Sequence, residues 1–363
     1  MQRRDFVKQS AAIAASVTIL SRSSSAAEAE RPVIGHGDYR YRVINDWAKV
    51  SPLRYPILNC HEMVQDRDGQ LIMVGDHPHN NIMIFDKSGE LLSTWGTMFP
   101  GGHGLTLVDE GDEQNLLVTD SGWTLDANGK SIRNAGRVTK TTRDGRVIFD
   151  IGHPQTIGLY EPGDFFNPTE TAVADNGDIY VADGYGKDFI IQYNWKGEYI
   201  RHFGGRDNDD PNLNLKNAHG VAIDRRDPNQ PLLVCTSRSE CCFKYFTLDG
   251  QYVKTVALPN MRICRPVVDD TNIYAGVCWS TPKEGGSAWK GHTGFMMILD
   301  GDKVVSNPGG TEPEYQDGKL QKSYQTDDCP FMHGHDVCVD DDKNLYVCQW
   351  NANHTAPIKL ERV

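Results

Sequence analysis

The sequence lacks the features that would assign it to a membrane, to nucleic acid or to a thiolate zinc site. No apolar run reaches the ~18 residues that a membrane-spanning helix needs. Positive charge is not in excess: 37 basic against 49 acidic residues give a formal net charge of −12. That balance argues against nucleic acid or an anionic membrane surface as the main partner. None of the nine cysteines forms a Cys-x-x-Cys pair, so the usual spacing of thiolate zinc ligands is missing.

The cysteine count leaves two interpretations of the thiols open. An odd number of cysteines means that at least one is unpaired within a single chain. Cys235 and either Cys241 or Cys242 flank a predicted hairpin and can bridge it in an oxidising compartment. The alternative is that most of the cysteines are small, buried core residues.

The N-terminus indicates export. Arg3 and Arg4 are followed by Phe6 and Lys8, then by a mildly apolar stretch and by small residues up to Ala29. This order is typical of a twin-arginine signal, which is removed after transport of the folded protein. We therefore predict a signal over residues 1–29 and a mature protein over residues 30–363, periplasmic or secreted. The alternative is an unstructured basic tail.

A repeated unit organises the rest of the chain. From residue 61 four short apolar runs are separated by turns such as Asp68-Gly69 and Ser88-Gly89, and the pattern returns clearly at 168–204 and 219–256. Weaker copies give six units that start near residues 61, 103, 169, 219, 266 and 335. Units of four strands with Asp-Gly turns are typical of propeller blades. We predict an all-β, six-bladed β-propeller; a seven-bladed ring or a pair of sandwiches is the alternative.

The last unit is short and needs a strand from elsewhere. After residues 345–347 it offers only the run 358–362 before the sequence stops. The segment 39–47, ahead of the first unit, resembles the fourth strands of the other units. We expect this N-terminal strand to close the ring, which removes the exposed sheet edges of an open structure.

Three histidines recur at equal intervals. His103, His219 and His335 are each followed by a small or acidic residue and a short alternating apolar run, and both intervals are 116 residues. They fall in the second, fourth and sixth units, about 120° apart in a six-bladed ring. If this repeated histidine position lies at the start of the innermost strand of each blade, the three imidazoles meet in the central channel. Three imidazoles with one open position form the catalytic zinc arrangement, and Asp336 can add an oxygen ligand for a harder cation such as calcium.

Several motifs resemble one enzyme family. They are Phe166–Thr169 with Ala182–Tyr185 and Ile191–Tyr193, together with Gly102–Leu105, Ala218–Gly220, Ser237–Arg238 and His335–Asp336. In these residues the chain resembles the peptidyl-α-hydroxyglycine α-amidating lyases, which are six-bladed propellers of NHL-type repeats.

The resemblance implies a set of site residues. It implies a zinc ion held by His103, His219 and His335. It also implies a structural calcium ion at the Asp336 carboxylate and at backbone oxygens near Leu105 and Met63. The family's catalytic tyrosine falls on Tyr185, and one of its two active-site arginines falls on Arg238.

The chemistry implied is carbon–nitrogen cleavage of a small hydroxylated substrate or a peptide terminus. A metal lowers the pKa of the bound substrate hydroxyl. Tyr185, its own pKa depressed by the metal and by Arg238, removes the proton. The substrate then splits into an aldehyde and an amide. Arg238 alternatively pairs with a substrate carboxylate.

The sequence also departs from the family. Asp76 occupies the position where the family has its second active-site arginine, and His333 replaces a methionine at the end of the channel where the metal is expected. Further histidines crowd the same end, namely His61, His77 and His79. Because imidazole also suits copper, iron and nickel, the metal need not be zinc. The alternatives are a related metalloenzyme that acts on a sugar or hydroxy-acid derivative, and a noncatalytic NHL-type scaffold that binds a protein or glycan.

Overall fold

Five repeats fold into antiparallel four-stranded sheets and the last repeat joins a five-stranded one, and these six sheets form a six-bladed propeller. The computed structural model describes residues 31–126, 128–288 and 291–363. The predicted export signal lies outside these residues and stays a prediction. Within them, no helix is both long and apolar enough to cross a membrane.

The strands of the first three blades follow the predicted order. Two strands precede the blades: β1 (Val33–His36) and β2 (Tyr39–Ile44). Blade one contains β3 (Cys60–Gln65), β4 (Leu71–Gly75), β5 (Ile82–Phe85) and β6 (Leu91–Trp95). Blade two contains β7 (Gly102–Glu110) and β8 (Glu113–Asp120), the inserted hairpin β9 (Trp123–Leu125) and β10 (Ser131–Arg133), then β11 (Arg137–Thr142) and β12 (Val147–Ile151). Blade three contains β13 (Glu170–Val173), β14 (Ile179–Ala182), β15 (Phe189–Tyr193) and β16 (Tyr199–Gly204).

The second half repeats the architecture. Blade four contains β17 (Val221–Asp224), β18 (Leu232–Ser237), β19 (Cys242–Thr247) and β20 (Tyr252–Ala257). Blade five contains β21 (Arg262–Val268), β22 (Asn272–Trp279), β23 (Phe295–Asp300) and β24 (Lys303–Ser306). A small hairpin follows, β25 (Tyr315–Gln316) and β26 (Lys319–Leu320). Blade six contains β27 (Gly334–Val339), β28 (Leu345–Gln349) and β29 (Ile358–Arg362). Two 3-10 turns, Pro154–Ile157 and Arg238–Glu240, complete the elements.

The last blade takes its outer strands from the N-terminal side of the chain. Its strand order is β27-β28-β29-β2-β1. In this sheet β2 pairs antiparallel with β29, and Val43 lies opposite Leu360. The strand predicted within 39–47 is thus present next to β29, and β1 adds a fifth strand that the sequence did not indicate.

Apolar side chains fill the seams between neighbouring blades. The seam between blades one and six packs Trp47, Met63, Cys338 and Tyr346, all buried. The other seams are also apolar. Second strands such as β4 and β14 are buried along their whole length, whereas the outer strand β16 is mostly exposed. Burial of these residues is the main stabilising contribution to the ring.

The structure decides between the two interpretations of the cysteines and corrects one strand boundary. All nine cysteines are free, so no disulfide bridges the β18–β19 hairpin; Cys235 lies opposite Lys244 in that ladder. Blade five begins at Arg262, earlier than the predicted start at Pro266. The sequence misplaced it because proline is unusual inside a strand, and here Pro266 lies just after a register shift that begins at Ile263.

Candidate metal centre in the central channel

Six equivalent positions, at the start of the innermost strands or just before it, form a ring around the channel. They are His61, His103, Thr169, His219, Cys264 and His335. At His61, His103 and His335 the ladder to the second strand shifts register, so each histidine is an extra, unpaired residue of its strand. A β-bulge of this kind turns a side chain out of the sheet. It explains how a strand position can present an imidazole to the channel.

Four histidine side chains meet inside the channel. The ring centroid of His103 lies 4.8 Å from those of His61, His219 and His335. The His219 and His335 centroids lie 5.0 Å apart. All four side chains are buried. The structure thus brings the three predicted histidines together and adds His61, which the sequence had suggested only as a possible extra member.

Hydrogen bonds orient the imidazoles. His103 Nδ1 donates to the Thr169 carbonyl oxygen at 2.8 Å, and His335 Nδ1 donates to the His61 carbonyl oxygen at 2.9 Å. His61 Nε2 lies 3.2 Å from Asp76 Oδ2. Metal-binding histidines typically donate their second nitrogen to a carbonyl or carboxylate oxygen in this way. Asp76, the departure from the family pattern, is therefore the partner of a ring histidine.

The imidazoles are held in the neutral form that binds metals. Burial lowers the pKa of His103, His219 and His335 well below the ordinary histidine value. Neighbouring histidines and the Arg238 charge lower it further. Neutral imidazole is the form that ligates metal ions.

The donor atoms fit a transition metal. Three nitrogens of the four channel histidines are buried without a hydrogen-bond partner: His61 Nδ1, His219 Nδ1 and His335 Nε2. Possible ligand atoms within 4.8 Å of one another form two overlapping groups, His61-His103-His335 and His219-Cys264-His335. His335 is common to both. A set of imidazoles with one thiol suits zinc, copper or iron better than calcium or magnesium.

The Tyr185 hydroxyl group lies at this ring. Its oxygen is 3.2 Å from His103 Nε2, 3.1 Å from His219 Nε2 and 3.2 Å from Arg238 Nη2. Burial raises the pKa of Tyr185, and the charge and hydrogen bond of Arg238 offset only part of that effect. Arg238 alone therefore does not lower the pKa of Tyr185 below its ordinary value, although a lowered pKa was predicted from the sequence.

Buried contacts hold both Tyr185 and Arg238 in place. Asp183, in the turn of Tyr185, accepts hydrogen bonds from the Asn167 and Lys187 amides at 2.7 and 2.6 Å. Arg238 donates from Nε to Asn217 Oδ1 at 2.6 Å, and its guanidinium lies 4.8 Å from the ring centroid of Trp279. Both side chains are therefore positioned before any substrate binds.

The remaining extra histidines lie outside the ring. His77 and His79 contact each other, with ring centroids 5.1 Å apart, near the surface. His333 is buried against Trp350, and its Nδ1 lies 3.3 Å from the Asn351 carbonyl oxygen. None of the three belongs to either group of possible ligands among the described residues.

The predicted calcium site requires correction. Its expected ligands, the Asp336 carboxylate and the carbonyl oxygens of Met63 and Leu105, all converge on the guanidinium of Arg265. The two carbonyl oxygens each lie 3.0 Å from an Arg265 nitrogen, and Asp336 Oδ2 lies 2.8 Å from Nη2. Because a cationic side chain already binds these oxygens, the residues do not fit calcium.

A cavity opens beside Tyr185. Its volume is about 520 Å³, and Trp123, Arg133, Arg206 and Lys216 are among the residues that line it. Arg133 comes from the inserted β9–β10 hairpin, and its Nε donates to Asn167 Oδ1 at 2.7 Å. Tyr185 also lines this cavity, together with two acidic residues, Asp188 and Asp207.

Sequence reasoning missed Cys264 and Arg265. Both lie on β21, where they occupy the ring position of blade five and the residue after it. Alignment of all six units on the ring position would have found them, because Cys264 takes the place of a histidine and Arg265 takes the place of Asp336. The misplaced start of blade five concealed this signal.

Comparisons with known proteins bear on the family. No family model matches the chain. Over 121 residues it is 33% identical to peptidyl-alpha-hydroxyglycine alpha-amidating lyase 1 of Drosophila melanogaster, which covers 32% of this chain and 19% of the relative. Over 119 residues it is 29% identical to human NHL repeat-containing protein 3, which covers 32% of each. The chain is similar to the amidating lyases and to NHL repeat proteins.

The similarity is limited in extent. The chain matches about a third or less of the length of these curated relatives. Among solved structures, a streptogramin B lyase superposes with a TM-score of 0.52 at 13% identity, covering 85% of this chain and 94% of the other. A gluconolactonase from Xanthomonas campestris also gives 0.52, at 12% identity over 92% and 95%. At such identities these structures support the propeller fold alone.

Proposed function

We propose that this chain is a metal-dependent lyase that cleaves the carbon–nitrogen bond of a carbinolamide, such as the α-hydroxyglycine end of a peptide. The observation that carries the proposal is the Tyr185 hydroxyl group, which lies within 3.2 Å of His103, His219 and Arg238. A scaffold that only binds another protein has no need for a phenol at a buried imidazole ring. The similarity to amidating lyases supports the same chemistry.

The ring residues would hold the metal. His103, His219 and His335 offer imidazole nitrogens, and His61 and Cys264 offer further donors at the same level. When bound there, a transition metal supplies a Lewis acid that lowers the pKa of a substrate hydroxyl group.

Tyr185 is the proposed proton carrier. Arg238 favours its phenolate against the effect of burial, and as the phenolate Tyr185 would take the proton of the substrate hydroxyl group. The electron pair of the broken O–H bond forms the carbonyl group of the aldehyde, and the C–N bond breaks. The amide nitrogen then takes the proton back from Tyr185. The products are an amide and an aldehyde, which is glyoxylate when the substrate ends in hydroxyglycine.

The cavity beside Tyr185 is the proposed substrate entrance. Arg133 and Lys216 line it, whereas Arg206 is already paired with Asp188, with 3.0 Å between Nε and Oδ2. These cations offer the substrate carboxylate the positive charge that Asp76 does not provide. An anionic hydroxyglycine end therefore suits this entrance.

The test is release of glyoxylate from an N-acyl-α-hydroxyglycine by the zinc-loaded mature protein. We expect enzyme-dependent release, and we expect Tyr185→Phe to lower kcat by about 10²–10⁴-fold, because the proton carrier is lost. Its metal content should stay unchanged. Tyr199→Phe, which alters an exposed tyrosine of β16, is the matched control and should keep full activity.

Two results would contradict the proposal. One is wild-type protein that binds metal stoichiometrically yet releases no more glyoxylate than a protein-free blank. The other is a Tyr185→Phe enzyme with wild-type kcat, which would remove the tyrosine from the mechanism.

A further inference from the structure

A second ring of residues lies one position further along each inner strand. Its members are Glu62, Gly104, Glu170, Gly220, Arg265 and Asp336. The four charged members are all buried. Three carboxyl groups from blades one, three and six thus surround one guanidinium from blade five.

Arg265 connects most of the propeller through its guanidinium. It donates to Met63 of blade one, to Leu105 of blade two and to both carboxylate oxygens of Asp336 in blade six. Its Nη1 lies 3.5 Å from Glu62 Oε2, and its Nε lies 3.7 Å from Glu170 Oε2. One side chain therefore contacts four other blades at the axis.

Gly220 of this ring lies close against the backbone of β21. A Cβ atom on Gly220 would lie 2.7 Å from the Arg265 Cα atom and 2.8 Å from the Cys264 carbonyl oxygen. Blade four thus cannot carry a side chain at this position without displacing β21.

More oxygen atoms converge here than the guanidinium satisfies. Glu62 Oε1 and Glu170 Oε2 have no hydrogen-bond partner in the described part of the chain. Two carbonyl oxygens and three carboxyl groups form the kind of oxygen set that Ca²⁺ binds with six to eight ligands. The channel is open on this side, where a cavity of about 630 Å³ is lined by Arg265, Met63 and Thr106.

We propose that Arg265 is the resident cation of this site, and that its removal exposes a latent divalent-cation site. The guanidinium stabilises the ring at the point where calcium was expected, which makes the wild-type fold independent of calcium. This inference does not rest on the lyase activity, because its readouts are ion binding and thermal unfolding.

The experiment compares wild type with Arg265→Ala in the full-length mature protein. Calcium binding is measured by isothermal titration, and Tm is measured across a calcium series. We expect no binding and no Tm shift for wild type. Arg265→Ala should unfold roughly 5–10 °C lower, because buried carboxylates lose their counter-charge. It should also bind one Ca²⁺ per chain and recover part of that loss as calcium rises.

Two control variants make the comparison specific. Arg226→Ala removes a partly buried arginine that pairs with Asp224 outside the channel, and its Tm should not respond to calcium. The double variant Arg265→Ala/Asp336→Asn removes one carboxylate of the latent site and should bind calcium more weakly than Arg265→Ala.

Several outcomes would overturn the inference. One is stoichiometric calcium binding by wild type with a rise in Tm, and another is a well-folded Arg265→Ala protein that binds no calcium. If Arg265→Ala does not fold without calcium, its recovery with calcium present supports the inference. If it folds under neither condition, an Arg265→Gln protein with wild-type Tm overturns it, and one with a clearly lower Tm supports it.

Discussion

At the scale of the residue, Asp76 links His61 of the histidine ring to Asn59 through hydrogen bonds. Its carboxylate faces His61 Nε2 and also accepts hydrogen bonds from the Asn59 backbone and side-chain amides at 2.9 and 2.7 Å. Burial alone would raise the pKa of Asp76, but the His61 charge and these hydrogen bonds together lower it. The carboxylate is thus ionised and fixes the orientation of His61.

We expect Asp76→Asn to weaken metal binding about 10- to 100-fold, the usual effect of losing a carboxylate partner of a metal-binding histidine. The measurement is the Kd for zinc, obtained by competition with a chelator. Asp86→Asn, in an exposed turn of blade one, serves as the control and should leave the Kd unchanged. An unaltered Kd in Asp76→Asn would show that His61 plays no part in the metal centre.

Single residues also show what the sequence could reveal. His103, His219 and His335 were predictable because equal spacing in a repeat translates into equivalent places in the ring. The error at Asp336 has a physical cause. Backbone carbonyl oxygens such as those of Met63 and Leu105 can coordinate a metal ion or accept a hydrogen bond from a cationic side chain. The pattern of oxygen atoms alone therefore does not distinguish calcium from the guanidinium of Arg265.

At the scale of the element, the inner strands depend on glycine beside the ring histidines. A Cβ atom on Gly104 would lie 2.7 Å from the Thr169 carbonyl oxygen and 3.0 Å from the Thr119 side chain. That carbonyl oxygen is also the acceptor of His103 Nδ1. Any substitution of Gly104 would therefore push β7 away from blade three and disturb His103 as well.

We expect Gly104→Ala to lower the free energy of unfolding by about 1–3 kcal/mol, the usual cost of inserting a methyl group into a packed site. Urea unfolding measures this change. Gly152→Ala is the control, since a Cβ atom there meets nothing within 4 Å, and its effect should stay within about 0.5 kcal/mol. Equal stabilities of the two variants would contradict the close packing between blades two and three.

The strands themselves were largely predictable, but the bulges were not. Alternating apolar runs and Asp-Gly turns indicate strands and hairpins, because both follow from local backbone and side-chain preferences. The register shifts at His61, His103 and His335 depend instead on packing across the channel. No local pattern in the sequence specifies them.

At the scale of the whole molecule, ring closure decides where the site lies. The pairing of β2 with β29 puts an N-terminal strand into blade six. Across the junction of blades six and one, His335 Nδ1 donates to the His61 carbonyl oxygen. The 116-residue interval was informative because it spans two blades each time. It indicated the histidines of blades two, four and six. It gave no sign of His61 or Cys264, which lie at the same position in blades one and five.

The central claim is that the histidine ring binds a transition metal, and metal analysis of the purified protein tests it most directly. We predict about one equivalent of transition metal per chain in wild type, either as isolated or after zinc loading. The control His202→Ala, in the exposed outer strand of blade three, should match it. His335→Ala, which removes the residue common to both ligand groups, should hold almost none. Wild type without stoichiometric metal, or His335→Ala with a full equivalent, would contradict the account.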